Sequence, residues 1–316
     1  MTARWKHFAW DGFDMEIPAD WDPGVLEHSA DGGLYRLEDE LRPRLFLRWR
    51  PLKGKTTFAP QAALEAHFER QAKALRKKRT EFEVELNVPL PGARRAFGPG
   101  YLGYRYRAGG NLAAGAAACC ETCRRAYVLE LTGTGEQVTA KLVERILLSF
   151  REHADGAVRR WEVYGVSADL PAHLACTGKR LEQGLVRLEF SGPGERAALV
   201  RWSLANVHLQ GRDLTAFVRG QYAKVIAREG LQLVEATRGG HEAVALVVKR
   251  DTWARRLRAR LRRRAPRTEP TYLACLVWHC ERTNRLFAVE ARGNVFLDPH
   301  ALDERAGAVR CCSVEV

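Results

Sequence analysis

The sequence predicts an α+β protein made of two tandem copies of a ββββ-α-ββββ-α layered unit with mainly antiparallel sheet. Three observations predict it. First, three blocks recur in the same order. Leu45-Phe-Leu-Arg-Trp49 aligns with Ala198-Leu-Val-Arg-Trp202. Leu64, Phe68, Gln71 and Leu75 align with Leu214, Val218, Gln221 and Val225 at helical spacing. Cys120-Glu121, Arg125, Tyr127 and Glu130 then fall opposite Cys280-Glu281, Arg285, Phe287 and Glu290. Second, 316 residues exceed one ordinary unit of roughly 100–200. Third, strands come in runs before each helix, which indicates α+β layers rather than a parallel βαβ sheet. The units are 1–154 and 155–316.

In the first unit, Phe13-Asp-Met-Glu-Ile17 alternates and stops at Pro18, a strand signal. Further strands are expected near 24–29, 33–38 and 44–50. A helix follows from Pro60 to about Lys78, because a first-turn proline loses no hydrogen bond. Strands are expected again near 81–88, 101–107, 114–120 and 125–132, then a helix over 136–150. In the second unit, strands are expected near 161–167, 172–177, 184–191 and 196–203. A helix over 213–229 follows, then strands near 231–237, 243–250, 271–279 and 285–291. Asp298 and Pro299 suit the start of a last helix. Val309 to Val316 reads as either helix or strand.

Phe13-x-x-x-x-Pro18-x-x-Trp21, opening a unit of this element order, resembles the Mog1/PsbP-like α/β/α sandwich. The second unit has Leu170-Pro171 and no following Trp. The resemblance implies a non-enzymatic binding module. Family members include a partner of a small nuclear GTPase and an extrinsic subunit of a photosynthetic complex. It supplies no shared catalytic motif, so it assigns no residue a role.

Composition is that of a globular chain, with 46% hydrophobic and 28% charged residues. No run approaches the roughly 18 apolar residues of a membrane span. The start lacks the apolar core of a signal peptide, so a cytoplasmic protein is expected. A chain of this size does not need disulfide staples, and its eight cysteines are expected reduced. There is no P-loop, H-E-x-x-H or G-x-S-x-G, and no enzymatic activity is expected. Gly98-Pro-Gly-Tyr-Leu-Gly103 matches a dinucleotide motif literally but leads into a strand pattern, where that motif must open a helix.

The formal charge of +13 is uneven. Lys249 to Arg267 holds ten cations against Asp251 alone. It reads as an inserted helix near 251–265 that the first unit lacks. Trp253, Leu257 and Leu261 make a narrow apolar stripe, and the arginines cover the other faces. Arg255, Arg256, Arg258, Arg260, Arg262, Arg263 and Arg264 are therefore the candidate partner-binding residues. An acidic protein face is the leading partner. Nucleic acid is the alternative, with few aromatics interleaved for base stacking, and an anionic membrane surface is a third. A solvated helix resting on its own domain needs no partner at all.

The cysteines give the other candidate site. Cys120-x-x-Cys123 lies at a hairpin, and the matching hairpin offers His279 and Cys280. Thiolate and imidazole suit zinc, which takes four such ligands. Cys120, Cys123, His279 and Cys280 are the candidate set, if a pseudo-twofold brings the hairpins together. A redox thiol pair and plain structural cysteines are the other readings. No other cofactor is expected. Cys119 points away from Cys120 on a strand. A Glu121–Arg125 pair across the hairpin is the simple reading of the recurring Glu and Arg.

Overall fold

The computed structural model describes residues 4–153, 156–248, 272–293, 304 and 309–312. The chain divides into two compact units, Met1–Ala154 and Asp155–Val316. Every pairing within them described below is antiparallel.

The first unit opens with a hairpin, β1 (Trp5–Trp10) and β2 (Phe13–Pro18). Its turn is Asp11-Gly12, with φ of 52° and 92°, and Trp10 faces Phe13 across it. Asp-Gly at two positive φ values is the preferred two-residue turn, because its twist matches that of the strands. Then follow β3 (Asp22–Ser29), β4 (Gly32–Glu38), β5 (Pro43–Pro51), α1 (Pro60–Lys77), β6 (Phe82–Leu86), α2 (Ala93–Phe97), β7 (Leu102–Ala108), β8 (Asn111–Cys120), β9 (Arg125–Gly133) and α3 (Ala140–Ser149). Seven strands form one sheet in the order β3-β4-β5-β9-β8-β7-β6.

That sheet has helical cover on one face and mixed cover on the other. On one side α1 sets Leu64 and Phe68 against Tyr104 and Ala117. Burying two such side chains contributes about 1.5–3 kcal/mol each. On the other side Phe13 meets Tyr35, Tyr127 and Phe150 at ring distances of 5.8, 6.2 and 6.0 Å. Phe97 of α2 also contacts Tyr127 and Phe150. The Phe13-x4-Pro18-x2-Trp21 phrase is thus a packing motif, with Phe13 and Trp21 both buried.

The second unit starts with β10 (Val158–Val163) and β11 (Val166–Pro171), turning at Tyr164-Gly165 with φ of 50° and 69°. Then come β12 (Ala175–Glu182), β13 (Leu185–Gly192), β14 (Glu195–Ser203), α4 (Ala205–Leu209), α5 (Leu214–Gln221), α6 (Ala223–Glu229), β15 (Leu231–Arg238), β16 (His241–Val248), β17 (Tyr272–Cys280), a 3-10 turn (Glu281–Thr283), β18 (Arg285–Gly293) and β19 (Val309–Arg310). Its seven-stranded sheet runs β12-β13-β14-β18-β17-β16-β15. Strand for strand, this is the order found in the first unit. Trp202, Phe217, Val218, Leu246, Val277 and Leu286 fill the core under the helices.

Several expectations are corrected. Each unit opens with five strands before its long helical segment, because the two-residue turns at Asp11-Gly12 and Tyr164-Gly165 each add a strand. The expected strand over 161–167 straddles the second turn. The expected helix over 213–229 is α5 and α6, broken at Tyr222 (φ −107°, ψ 12°), whose hydroxyl donates to Glu290 Oε1 at 3.0 Å. α3 begins at Ala140 because Thr139 caps it, accepting from the Leu142 N–H at 3.2 Å. α2 and Gly98 (φ 72°) precede β7, so the Gly-rich stretch leads into a strand. Arg125 does not pair with Glu121. It donates to Asp11, at 2.8 Å to the carbonyl and 3.1 Å to the carboxylate, and so anchors the opening turn. Glu121 meets Arg124 at 3.4 Å. No described helix is long and apolar enough to cross a membrane. Arg255, Arg256, Arg258, Arg260, Arg262, Arg263 and Arg264, and Asp298 with Pro299, lie outside the described residues.

Candidate metal centres

None of the eight cysteines is in a disulfide. Six belong to two thiol–imidazole clusters or flank one of them, and each cluster is assembled within one unit. The second unit gathers His241, Cys280, Cys311 and Cys312. Three separate segments supply them. His241 begins β16 after the Gly239-Gly240 turn. Cys280 ends β17, fully buried. Cys311 and Cys312 follow β19, which is held by pairing Val309 and Arg310 with Ala168 and Ser167 of β11.

The four ligand atoms all lie within 4.8 Å of one another. His241 Nε2 is 3.3 Å from Cys312 Sγ and 3.4 Å from Cys311 Sγ. The two vicinal sulfurs are 3.6 Å apart, too far for a disulfide. A tetrahedral zinc ion with bonds of about 2.3 Å to sulfur and about 2.0 Å to nitrogen needs edges of about 3.8 Å (S–S) and about 3.5 Å (S–N). The three separations among His241, Cys311 and Cys312 match these to a few tenths of an ångström.

Arg238, buried at the end of β15, borders this cluster. Its guanidinium sits 4.3 Å above the Trp278 ring, donates to the Val309 carbonyl, and reaches Cys311 Sγ at 4.0 Å. Three thiolates, one imidazole and Zn²⁺ carry a net charge of −1, which this cation offsets.

The first unit gathers Cys120, Cys123 and His153. Cys120 ends β8, Cys123 lies in the β8–β9 turn, and His153 follows α3. His153 Nδ1 is 3.4 Å from Cys120 Sγ and 3.6 Å from Glu152 Oε1. Cys119 points elsewhere and donates to Glu121 at 3.7 Å.

One thiol in each cluster resists ionisation. Burial, then the neighbouring Cys120 sulfur, pushes the Cys123 thiol up to about 12. Burial, then Cys311, pushes Cys312 up to about 11. Cys280 moves down: burial opposes its thiolate, but hydrogen bonds from Thr283, Cys312 and Cys311 outweigh it. A bound metal must therefore displace protons.

The residues expected from sequence divide between the two clusters. Cys120 and Cys123 come together in the first and Cys280 joins the second. His279 belongs to neither, because it precedes Cys280 on β17 and faces the opposite side of the strand. His153, His241, Cys311 and Cys312 were not in the expected set. The signal for Cys311 and Cys312 was their adjacency, but nothing local in the sequence links them to a hairpin.

No protein-family model and no curated protein matches the chain. Among solved structures, it is similar to the solution structure of cyanobacterial PsbP from Synechocystis sp. PCC 6803. The identity is 11%, over 48% of this chain and 95% of that one, with a TM-score of 0.36. A crystal structure from Bacteroides thetaiotaomicron VPI-5482 is also similar, at 12% identity over 79% of this chain and 88% of that one, with a TM-score of 0.28.

Proposed function

We propose that the protein is a non-enzymatic metal-binding protein whose second unit is closed by one zinc ion held by His241, Cys280, Cys311 and Cys312. The observation that carries this reading is the convergence of four soft ligand atoms, from three chain segments, within 4.8 Å of one another, with His241, Cys311 and Cys312 at tetrahedral spacing. Sulfur with imidazole in a tetrahedral set selects zinc over magnesium or calcium. Four protein ligands leave no open position, which makes the site structural. It has a task to perform. Among the described residues β19 spans two residues and pairs with β11 alone. A ladder that short is weak alone, and an ion shared by Cys280, Cys311 and Cys312 ties it to the main sheet.

The test is elemental analysis of the purified full chain. One zinc should leave with the double variant Cys311→Ser, Cys312→Ser and with the double variant His241→Ala, Cys280→Ser, each of which leaves only two ligands. It should stay in Cys275→Ser, because Cys275 is a buried core thiol outside the cluster. Retention of the ion in both ligand variants would refute the assignment.

The matching strand orders and opening turns support reading the units as tandem copies of one Mog1/PsbP-like unit. A second reading of the function rests on charge: ten cations between Lys249 and Arg267 suit an acidic protein partner. It is tested by a native pull-down with Arg256, Arg260 and Arg263 changed to Glu, with and without nuclease. A partner that survives nuclease and is lost in the variant supports it, and nuclease-sensitive recovery points to nucleic acid. Equal recovery by both baits rejects the segment as a contact surface.

A further inference from the structure

The two thiol–imidazole clusters occupy the same place in the fold of each unit. Strand register establishes this. In the first unit Cys120 pairs with Arg125, and Asp14 bridges to Arg151. In the second, Cys280 pairs with Arg285, and Ser167 pairs with Arg310. Asp14 and Ser167 each come one residue after the pair that closes the opening turn, Trp10 with Phe13 and Val163 with Val166. Cys120 therefore holds the position of Cys280. His153, two residues past Arg151, holds the position of Cys312, two residues past Arg310.

The remaining ligands differ. Cys123 stands where the second unit has Thr283, and Glu152 stands where it has Cys311. One location has been filled twice with metal-ligating side chains of different identity. Packing alone does not require that, since a buried thiol replaces as a small hydrophobe and an imidazole does not.

We propose that the first unit binds a second, exchangeable zinc ion through Cys120, Cys123 and His153, with the fourth position open to solvent or an added ligand. The Cys120 Sγ to His153 Nδ1 separation of 3.4 Å is close to the tetrahedral S–N edge of about 3.5 Å. The three ligand atoms lie within 4.8 Å of one another, and Cys123 and His153 are both partly exposed, so an ion can enter and leave. Two thiolates and one imidazole leave the zinc neutral. A water or an imidazole then adds no charge, whereas a hydroxide or thiolate would bring the centre to −1. A three-ligand site differs in this from the closed four-ligand set. The proposal stands on its own ligands and does not need the closed site to be occupied.

The test uses the full chain loaded with Zn²⁺ alone and freed of excess. Metal is counted, then its transfer to a chromophoric chelator is followed. Wild type should hold two equivalents and release them in two phases. Cys123→Ser and His153→Ala should each hold one and lose the fast phase. The double variant Cys311→Ser, Cys312→Ser, which leaves two second-unit ligands, should lose the slow phase and keep the fast one. His153 lies outside the strands and helices, so its variant keeps the fold, as far-UV circular dichroism will verify. A wild-type count of one that only the Cys311→Ser, Cys312→Ser variant removes would overturn this proposal and leave the closed site standing. A count of one that only the first-unit variants remove would do the reverse. A count of zero overturns both.

Discussion

His241 Nε2 lies 3.3 Å from Cys312 Sγ, although 71 residues separate them. The contact joins the start of β16 to the segment after β19. Zinc there should couple metal binding to folding, because the site exists only in the folded chain. Free zinc at 100 to 1,000 times its dissociation constant stabilises by about 2.7–4.1 kcal/mol. In a Cys120→Ser, Cys123→Ser background, a strong chelator should lower the Tm, and adding Cys311→Ser with Cys312→Ser should abolish that effect. An equal chelator response in both would count against the coupling.

Glu290 and Arg187 form a bidentate ion pair in the second unit. Arg187 donates through both Nη atoms, at 2.7 and 2.8 Å, while the Tyr222 hydroxyl donates to the same carboxylate. The hydrogen bonds to Glu290 are the largest influence on Arg187 and hold its guanidinium firmly protonated. Glu290→Gln keeps an acceptor but loses the charge. It should cost about 1.5–3 kcal/mol, the range for a charge-assisted hydrogen bond. Urea unfolding with an unchanged m-value will check it.

The corresponding residue of the first unit, Glu130, accepts from the Tyr104 and Tyr106 hydroxyls at 2.7 and 3.2 Å. Gly115 of β8 makes room for this group. A Cβ there would stand 2.5 Å from the Tyr104 hydroxyl and 2.6 Å from the Leu129 carbonyl. Gly115→Ala should therefore destabilise by about 1–3 kcal/mol, the usual cost of overpacking. Gly110→Ala meets no neighbouring atom and is the control for steric crowding, though its φ of 84° still carries backbone strain. If Gly115→Ala melts as wild type does, Tyr104 is not held where the structure places it.

His67 on α1 packs edge-on against Phe68 at 5.1 Å. Burial, reinforced by Arg48 and Arg70 and opposed by Glu130, holds its imidazole below the ordinary 6.5. The unfolded chain therefore binds this proton more readily than the folded chain. The resulting stability is present in full above pH 6.5 and is lost as pH falls through the folded value. His67→Gln should flatten the fall in stability below pH 6.5 without changing stability near pH 8. An unchanged slope would show that His67 titrates as a free imidazole.

Some of this architecture is legible in the sequence. Arg125 and Arg285, Glu130 and Glu290, and the Leu64/Phe68 and Leu214/Val218 stripes all recur with the spacing that strand and helix periodicity demands. The opening turns are less legible: Asp11-Gly12 suits a hairpin, but Trp5, Lys6 and His7 of β1 carry mixed polarity, and Tyr164-Gly165 falls inside the strand expected over 161–167. The metal ligands are another matter. Cys120 and Cys280 stand out by their recurrence. His153 and Cys312 gain meaning only once short bridges, Asp14 to Arg151 and Ser167 to Arg310, carry the chain back to the first hairpin of each unit. Such bridges span more than 130 residues and leave no local pattern.

The most direct test of the central claim is the absorption spectrum of the Co²⁺-loaded full chain in a Cys120→Ser, Cys123→Ser background, which isolates the second-unit site. Three thiolates and an imidazole in a tetrahedron should give intense visible bands with thiolate-to-cobalt charge transfer, reaching an end point at one equivalent. Adding Cys280→Ser should weaken both. A faint spectrum of six-coordinate cobalt, unchanged by Cys280→Ser, would contradict the account: His241, Cys280, Cys311 and Cys312 would then be neighbours that hold no ion.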